Sequence, residues 1–462
     1  MSTTRISFPD HFIWGTSTAA YQIEGAFDED GRGSSIWDKF CHTEGKIYKS
    51  QNGDIAADHY HRWKEDIQLI SDLGLGAYRF SISWSRILPE GKGKLNLKGL
   101  DFYDRLVDEL LMHGIQPFPT LYHWDLPQAL QEIGGWANRE VVYYFADYTH
   151  LVENRLGDRV SQWITHNEPF VMAFAGHFTG EHAPGIKNIS TALQVAHHLL
   201  LSHGLAVQAI QAGQKETTQV GITLDLSPIH PASNDEKDKE AAVFFDAFKN
   251  CLFLDPIFRG KYPEVATRVF ESHFSDSKII KPNDFQIIAS SIDFLGVNYY
   301  SRIVIGFDPN SPTYNLNFVK PKGNDYSLMW EVYPQGIYEI LAWVWQDYHP
   351  KAIYITENGI PVPDDLDFDG KIRDYRRIWY LEDHISQVHK ALKAGVPLRG
   401  YFVWSLLDNF EWTYGYRMRF GLVFVDFETQ ERHIKESGYW YSRVACENGI
   451  REFQQHKKQL VT

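Results

Sequence analysis

Eight stretches of the chain are apolar almost without a break: residues 12–20, 77–83, 115–123, 160–168, 218–227, 292–300, 352–359 and 398–408. A strand with one wet face alternates apolar and polar positions, whereas a strand covered on both faces is apolar throughout. These runs therefore predict buried strands. Between them the period changes. In 58–73, Tyr60, Trp63, Ile67 and Ile70 recur at three- and four-residue steps, and in 98–113 Tyr103, Leu106, Val107 and Leu110 do the same, as the buried stripe of a helix does. Leu-Gly-Leu-Gly at 73–76 and His113-Gly114 supply the stops. Regular alternation of strand and helix predicts a parallel sheet. Eight such units in a chain well above about 250 residues favour a closed (β/α)8 TIM barrel of the α/β class, with long βα loops, over an open doubly wound sheet. Residues 1–462 are read as a single catalytic domain, and the polar stretches 231–240 and 361–375 as surface loops.

Charge and composition narrow the function. A formal net charge of −14, with no Lys/Arg cluster longer than a pair, has the wrong sign for a nucleic-acid partner. No run approaches the roughly 18 apolar residues that cross a bilayer. The N-terminal MSTTRISFPDHFIW has no apolar core of a secretion signal, so a cytoplasmic protein without a membrane partner is expected. Cys41, Cys251 and Cys446 are odd in number and widely spaced, which supports neither a disulfide framework nor a zinc site and predicts packing residues in a reducing compartment. No nucleotide-binding glycine motif is present, and no cofactor is expected. His59/His61 and His197/His198 match no metal-ligand spacing and are read as structural or surface residues. Trp14, Trp37 and Trp63 are assigned to packing.

In a (β/α)8 barrel the chemistry gathers at the C-terminal ends of the strands. Those ends carry Gln22, Arg79, His123-Trp124, Asn167-Glu168, Asp225, Asn298-Tyr299-Tyr300, Glu357-Asn358 and Trp404, the last followed by Asn409-Phe410-Glu411-Trp412. Side chains with paired donors and acceptors are thus interleaved with indoles. A pyranose presents adjacent hydroxyls that both donate and accept, and an apolar patch of axial C–H bonds that packs on Trp. Cleaving a glycosidic bond needs one carboxylic acid for the leaving oxygen and one carboxylate facing the oxocarbenium-like centre. Glu168 and Glu357 are the candidates. A Schiff-base enzyme would need a lysine at a strand end, and none of the eight ends has one.

The motifs FIWGTSTAAYQIEGA, HYHRWKEDI, YRFSISWSRI, LYHWDLPQAL, THNEP, FLGVNYYS, YITENG and WSLLDNFEWTYGYRMRFGLVFVDF make the chain resemble glycoside hydrolase family 1, the retaining β-glucosidase family, over nearly all its length. The resemblance implies that Glu168 is the general acid/base and Glu357 the nucleophile, supported by Arg79, Tyr300 and Asn298. It implies further that Gln22, His123, Trp124, Asn167, Glu411 and Trp412 bind the sugar, that Trp404 is the stacking platform with Phe420 nearby, and that Trp330 faces the leaving group. The implied activity is exo-acting hydrolysis of β-glucosides and β-linked oligosaccharides by double displacement, with no metal. A homo-oligomer is left open. The alternatives are a 6-phospho-β-glucosidase, for which Arg417 and Arg419 speak weakly, a transglycosylase on the same scaffold, and a catalytically silent sugar-binding barrel. Two positions depart from the family pattern. His166 stands where an apolar residue is usual, and strand alternation points it away from Asn167 into the layer behind the site. Asp225 replaces a usual Asn on the leaving-group side.

Overall fold

The computed structural model describes residues 5–213, 217–274 and 279–451. Each of the eight predicted runs contains one strand: β1 (Ile13–Ser17), β2 (Ala77–Ser81), β3 (Gln116–Tyr122), β4 (Gln162–Asn167), β5 (Gln219–Asp225), β6 (Phe294–Asn298), β7 (Ile353–Asn358) and β8 (Leu398–Trp404). They pair in parallel in that order, and β8 closes on β1. Around them run α1 (His59–Asp72), α2 (Leu97–Met112), α3 (Glu140–Leu156), α4 (Ile189–Ala212), α5 (Glu236–Asp246), α6 (Gln335–Tyr348), α7 (Tyr375–Lys393) and α8 (Glu436–Glu447). The predicted stripes of α1 and α2 are the buried ones. Gly74 and Gly114, just past their ends, take φ of +64° and +69°, which glycine adopts without strain.

The barrel interior changes character with height. Ala77, Phe118, Ile164, Phe294, Tyr354 and Phe402 form an apolar floor. Two residues further along β2, β3, β5 and β7 the inward positions become Arg79, Thr120, Thr223 and Thr356. Thr223 and Thr356 hydroxyls lie 3.3 Å apart, and Thr356 donates to Asn298 Oδ1 at 2.8 Å. Gly296 makes room for this polar layer, since a Cβ there would stand 2.3 Å from Thr223 Oγ1.

Two strands are irregular where it matters. In β4, Ile164 faces the floor, but Thr165 and His166 both face α4: Thr165 Oγ1 meets His203 Nδ1 and His166 Nε2 meets Ser202 Oγ, each at 2.8 Å. Consecutive side chains share a face only where the ladder is interrupted, and the register with β5 slips between Ile164 and Asn167. His166 thus lies behind the site, as alternation from Asn167 predicts. In β7 the register with β6 slips between Ile355 and Glu357. Thr356 and Glu357 both turn inward, while Asn358 turns out to Tyr299 O at 2.6 Å and accepts from Tyr401 at 2.5 Å.

Three expectations are corrected. Residues 231–240 are not a loop throughout: α5 begins at Glu236, capped by Asp235 accepting from Lys237 N at 2.9 Å, and the acidic residues form its first turn, where the helix dipole favours them. The alternation of strand and helix is interrupted by a small sheet of Ile229–Pro231, Ile303–Phe307 and Leu316–Phe318, whose partners are too far apart in sequence for local periodicity to reveal. Cys446 is exposed on α8 rather than packed. Among the described residues no helix is long and apolar enough to cross a membrane.

Candidate active site

A cavity of about 310 Å³ opens at the C-terminal end of the barrel, lined by His123, Trp124, Glu168, Tyr300, Trp330, Glu357, Trp404, Glu411, Trp412 and Phe420, among others. Ten of the fourteen residues singled out from the sequence form its wall. Arg79, Asn167, Asn298 and Gln22 lie one hydrogen bond behind it.

Glu357 is clamped. Arg79 Nη1 meets its Oε1 at 2.6 Å and Tyr300 donates to its Oε2 at 2.6 Å. Arg79 is held in turn by Thr120 Oγ1 at 3.1 Å, Thr356 O at 3.2 Å and Asn167 Oδ1 at 2.7 Å. The TENG glycine is part of this construction: Gly359 passes so close to β8 that a Cβ would fall 1.9 Å from Trp404 O.

Glu168 has a different setting. Asn298 Nδ2 donates to its Oε1 at 2.5 Å and also to Asn167 Oδ1 at 3.0 Å. Its backbone takes a φ of +49°, and Trp124 and Trp412 take +74° and +48°. Left-handed non-glycine residues are strained and cluster at functional sites. Here the left-handed backbone turns each of the three side chains toward the cavity.

The two carboxyls differ electrostatically. Burial raises both above the usual range. For Glu357, Arg79, Tyr300 and Asn298 pull back toward the ionised form. For Glu168, burial is reinforced by the negative charges of Asp225 and Glu357. The proton of the pair therefore rests on Glu168. Burial, with Glu357 adding to it, also lifts Glu411 to about 8, and burial keeps His123 neutral.

Around the carboxyls, Gln22 Nε2 donates to Asn409 Oδ1, Phe410 O and Glu411 Oε2 at 3.0, 2.9 and 3.3 Å, while its Oε1 has no partner. His123 Nε2 is paired with Asn167 Nδ2 at 3.1 Å, and its Nδ1 is unpaired. Trp124 Nε1 donates to Asn167 O at 2.9 Å, and Trp330 Nε1 is also unpaired. Buried polar atoms without partners are rare and call for an explanation; three beside one cavity match a ligand rich in hydroxyls. Trp412 is braced by Trp124 and Trp37 at ring distances of 4.7 and 4.5 Å, so Trp37 packs, as expected, but packs against the site. Trp330 lies against Tyr300 at 4.8 Å and Phe420 at 5.9 Å.

Sequence reasoning missed Lys249 and His182, which also line the cavity. Both reach it from long βα loops, where neither strand ends nor motifs mark a position.

A parallel barrel with two unlike buried carboxyls and an indole-lined cavity at its C-terminal mouth defines a carbohydrate-cleaving hydrolase. The profile of "Glycosyl hydrolase family 1" matches residues 4–450. The chain belongs to that family. It is 49% identical to beta-glucosidase A of Acetivibrio thermocellus, over 97% of this chain and 100% of that protein. It is likewise 49% identical to a 1,4-beta-D-glucan glucohydrolase of Thermotoga neapolitana, over 96% and 99%. Among solved structures it is similar to the family 1 β-glucosidase of Thermotoga maritima, with a TM-score of 0.94 at 48% identity over 97% of this chain and 100% of that one. The same enzyme is known in complex with isofagomine lactam, at a TM-score of 0.93, 49% identity and 97% and 100% coverage.

Proposed function

We propose that the chain removes terminal non-reducing β-D-glucosyl residues from cello-oligosaccharides and other β-glucosides by double displacement, with Glu357 as nucleophile and Glu168 as general acid and then base. The enzyme is a β-glucosidase. What supports these roles is the unequal setting of the two carboxyls: Glu357 is clamped by Arg79 and Tyr300 in its ionised form, and Glu168 is held protonated by burial and like charge.

In the first step Glu357 attacks the anomeric carbon, the bond to the leaving oxygen breaks, and the Glu168 proton passes to that oxygen. The glycosyl ester so formed has neutralised Glu357, which removes one of the charges holding the Glu168 pKa up. Glu168, now ionised, takes a proton from water as the water attacks the ester, and the starting states return. Asn167, His123, Gln22, Glu411 and Trp412 are read as glycone ligands, Trp404 as the stacking platform with Phe420, and Trp330 as a wall for the leaving group.

Neutral substrates are favoured over 6-phosphorylated ones. Arg419 donates to Asp408 at 2.7 Å and to Val425 O at 2.9 Å, and Arg417 lies over the rings of Tyr48 and Tyr414. Neither belongs to the cavity wall. Buried residues from Phe8 to Ile450 join one apolar cluster, which supports the reading of the chain as one catalytic domain.

Cleavage of cellobiose followed by NMR is expected to give β-glucose as the first product from the glycone. α-Glucose would overturn the double displacement. Trisaccharide accumulating ahead of glucose would favour transglycosylation.

A further inference from the structure

The cavity wall carries a charge pair of which one partner is buried and the other partly buried. β5 ends at Asp225, the register partner of Asn298, whose amide holds Glu168. Thr223, two residues earlier, faces the barrel interior, and its carbonyl accepts from Glu168 N at 2.9 Å. The two-residue period of the strand therefore brings the Asp225 side chain to the mouth beside Glu168.

Its partner, Lys249, comes from the wide π-helical turn Ala247–Cys251, which joins α5 to the helix Leu252–Arg259. The Lys249 ammonium is ion-paired with the Asp225 carboxylate. It also donates to Asp225 O at 2.8 Å and stands 4.4 Å from the ring centre of Phe170, two residues past Glu168. The side chains of Lys249 and Asp225 are 3% and 20% exposed. Asn250 locks the turn, donating to Ser227 O at 2.8 Å and accepting from Ser227 N at 3.3 Å. Turns of this kind recur at functional sites.

The other ionisable groups around the cavity are already committed. Glu357 from β7 is tied to Arg79 from β2, and burial keeps the Tyr300 phenol protonated. Arg302 is tied to Glu331 at 2.9 Å. Burial holds His123 well below its usual range and His182 at about 4, so both are neutral, and Glu411 is lifted to about 8. That leaves Asp225 and Lys249 as the unassigned charges beside Glu168.

We propose that Asp225 and Lys249 are positioning residues for proton transfer: as a matched pair they set how readily Glu168 releases and regains its proton. This rests on the reading of Glu168 as acid/base. The Asp225 carboxylate favours the proton that Glu168 delivers in the first step. The Lys249 ammonium offsets it, so that Glu168 still ionises for the second. The directions agree: after burial, Asp225 is the largest influence raising Glu168, and Lys249 acts against it.

The test is the pH dependence of kcat/KM on p-nitrophenyl β-glucoside for Asp225→Asn, Lys249→Gln and the double variant. Removing the carboxylate leaves an ammonium facing Glu168, which lowers its pKa and moves the alkaline limb down. Removing the ammonium moves the limb up. Each displacement is expected to be about one and a half to two pH units, as for a unit charge several ångströms away at an effective dielectric near 20. The double variant should return the limb to its wild-type position. Limbs that stay in place in the single variants, or that move in the same direction, overturn the proposal; a merely structural role lowers the amount of active enzyme without displacing the limb. Glu168→Gln is measured alongside. If its alkaline limb persists, the acid/base assignment itself falls. If that limb is lost but the single variants do not shift it, only the role of the pair falls.

Discussion

At the scale of single residues, the proposed function rests on two glutamates of the same intrinsic acidity placed in unlike surroundings. In the proposed mechanism Glu357 must be ionised to attack and Glu168 protonated to donate, so kcat/KM should be bell-shaped in pH, with the acid limb assigned to Glu357 and the alkaline limb to Glu168. Burial, Asp225 and Glu357 raise the Glu168 pKa, so activity is kept above the ordinary carboxylate range and is lost as pH rises through the raised value. Replacing Glu357 with Ala should cut turnover by on the order of 10⁵-fold, as loss of a covalent nucleophile does. Azide should restore cleavage of a dinitrophenyl glucoside and yield the α-glucosyl azide, identified by NMR. Wild-type-like turnover in that variant, or a β-configured azide, would contradict the assignment. Both glutamates were legible as strand-end carboxyls next to Asn. Lys249 was not, because a lysine on a helical turn resembles any solvated lysine until the turn is seen to end in a cavity.

At the scale of elements, the two strands that deliver the carboxyls both slip register just before them. A regular β4 would send His166 inward with Ile164 and turn Asn167 out. The slip reverses both, and hydrogen bonds from α4 to Thr165 and His166 hold the result. In β7 the slip lets Thr356 join the polar layer while Glu357 meets Arg79. Gly359 closes that strand against Trp404 O, so Gly359→Ala has to push the β7 end away from β8. A loss of about 2 kcal/mol or more is expected from such overpacking. It should appear as a lower Tm together with a reduced kcat on p-nitrophenyl glucoside, since Glu357 and Trp404 sit at the two ends being separated. An unchanged Tm and kcat would show that the contact relaxes freely.

At the scale of the molecule, the loops after β7 and β8 are cross-linked by buried ions. Lys435 Nζ meets Asp364 Oδ2 at 2.5 Å and Asp408 Oδ1 at 2.7 Å, Arg377 on α7 meets Asp364 at 2.9 Å and is also paired with Asp374, and Arg419 meets Asp408 at 2.7 Å. The loop so anchored runs from Trp404 through Glu411 to Phe420. Removing one partner of a buried pair leaves the other uncompensated, at about 3–5 kcal/mol. Lys435→Met should therefore lower the denaturation midpoint markedly at pH 7. Burial works against the charge of Asp408, but Lys435, Arg419 and Arg377 prevail and hold its pKa below the usual value. The stability this confers is present above the ordinary aspartate pKa of about 4 and is lost as pH falls through the depressed one. The gap between wild type and Lys435→Met, followed by chemical denaturation across pH, should accordingly be widest near neutrality and narrow in acid. A gap that widens in acid would refute the sign.

The sequence by itself determined the eight strands, the stripes of α1 and α2, the closed barrel and both catalytic candidates. Burial on both faces leaves an apolar run, a helix leaves a three-to-four step, and strand ends must carry the polar groups that the interior excludes. Tertiary structure alone decided the register slips, the small sheet of Ile229–Pro231, Ile303–Phe307 and Leu316–Phe318, and the Asp225–Lys249 pair. Each depends on which segments meet across long separations in the chain: a slip exists only relative to a neighbouring strand, and a charge becomes influential only once packing has taken it out of water.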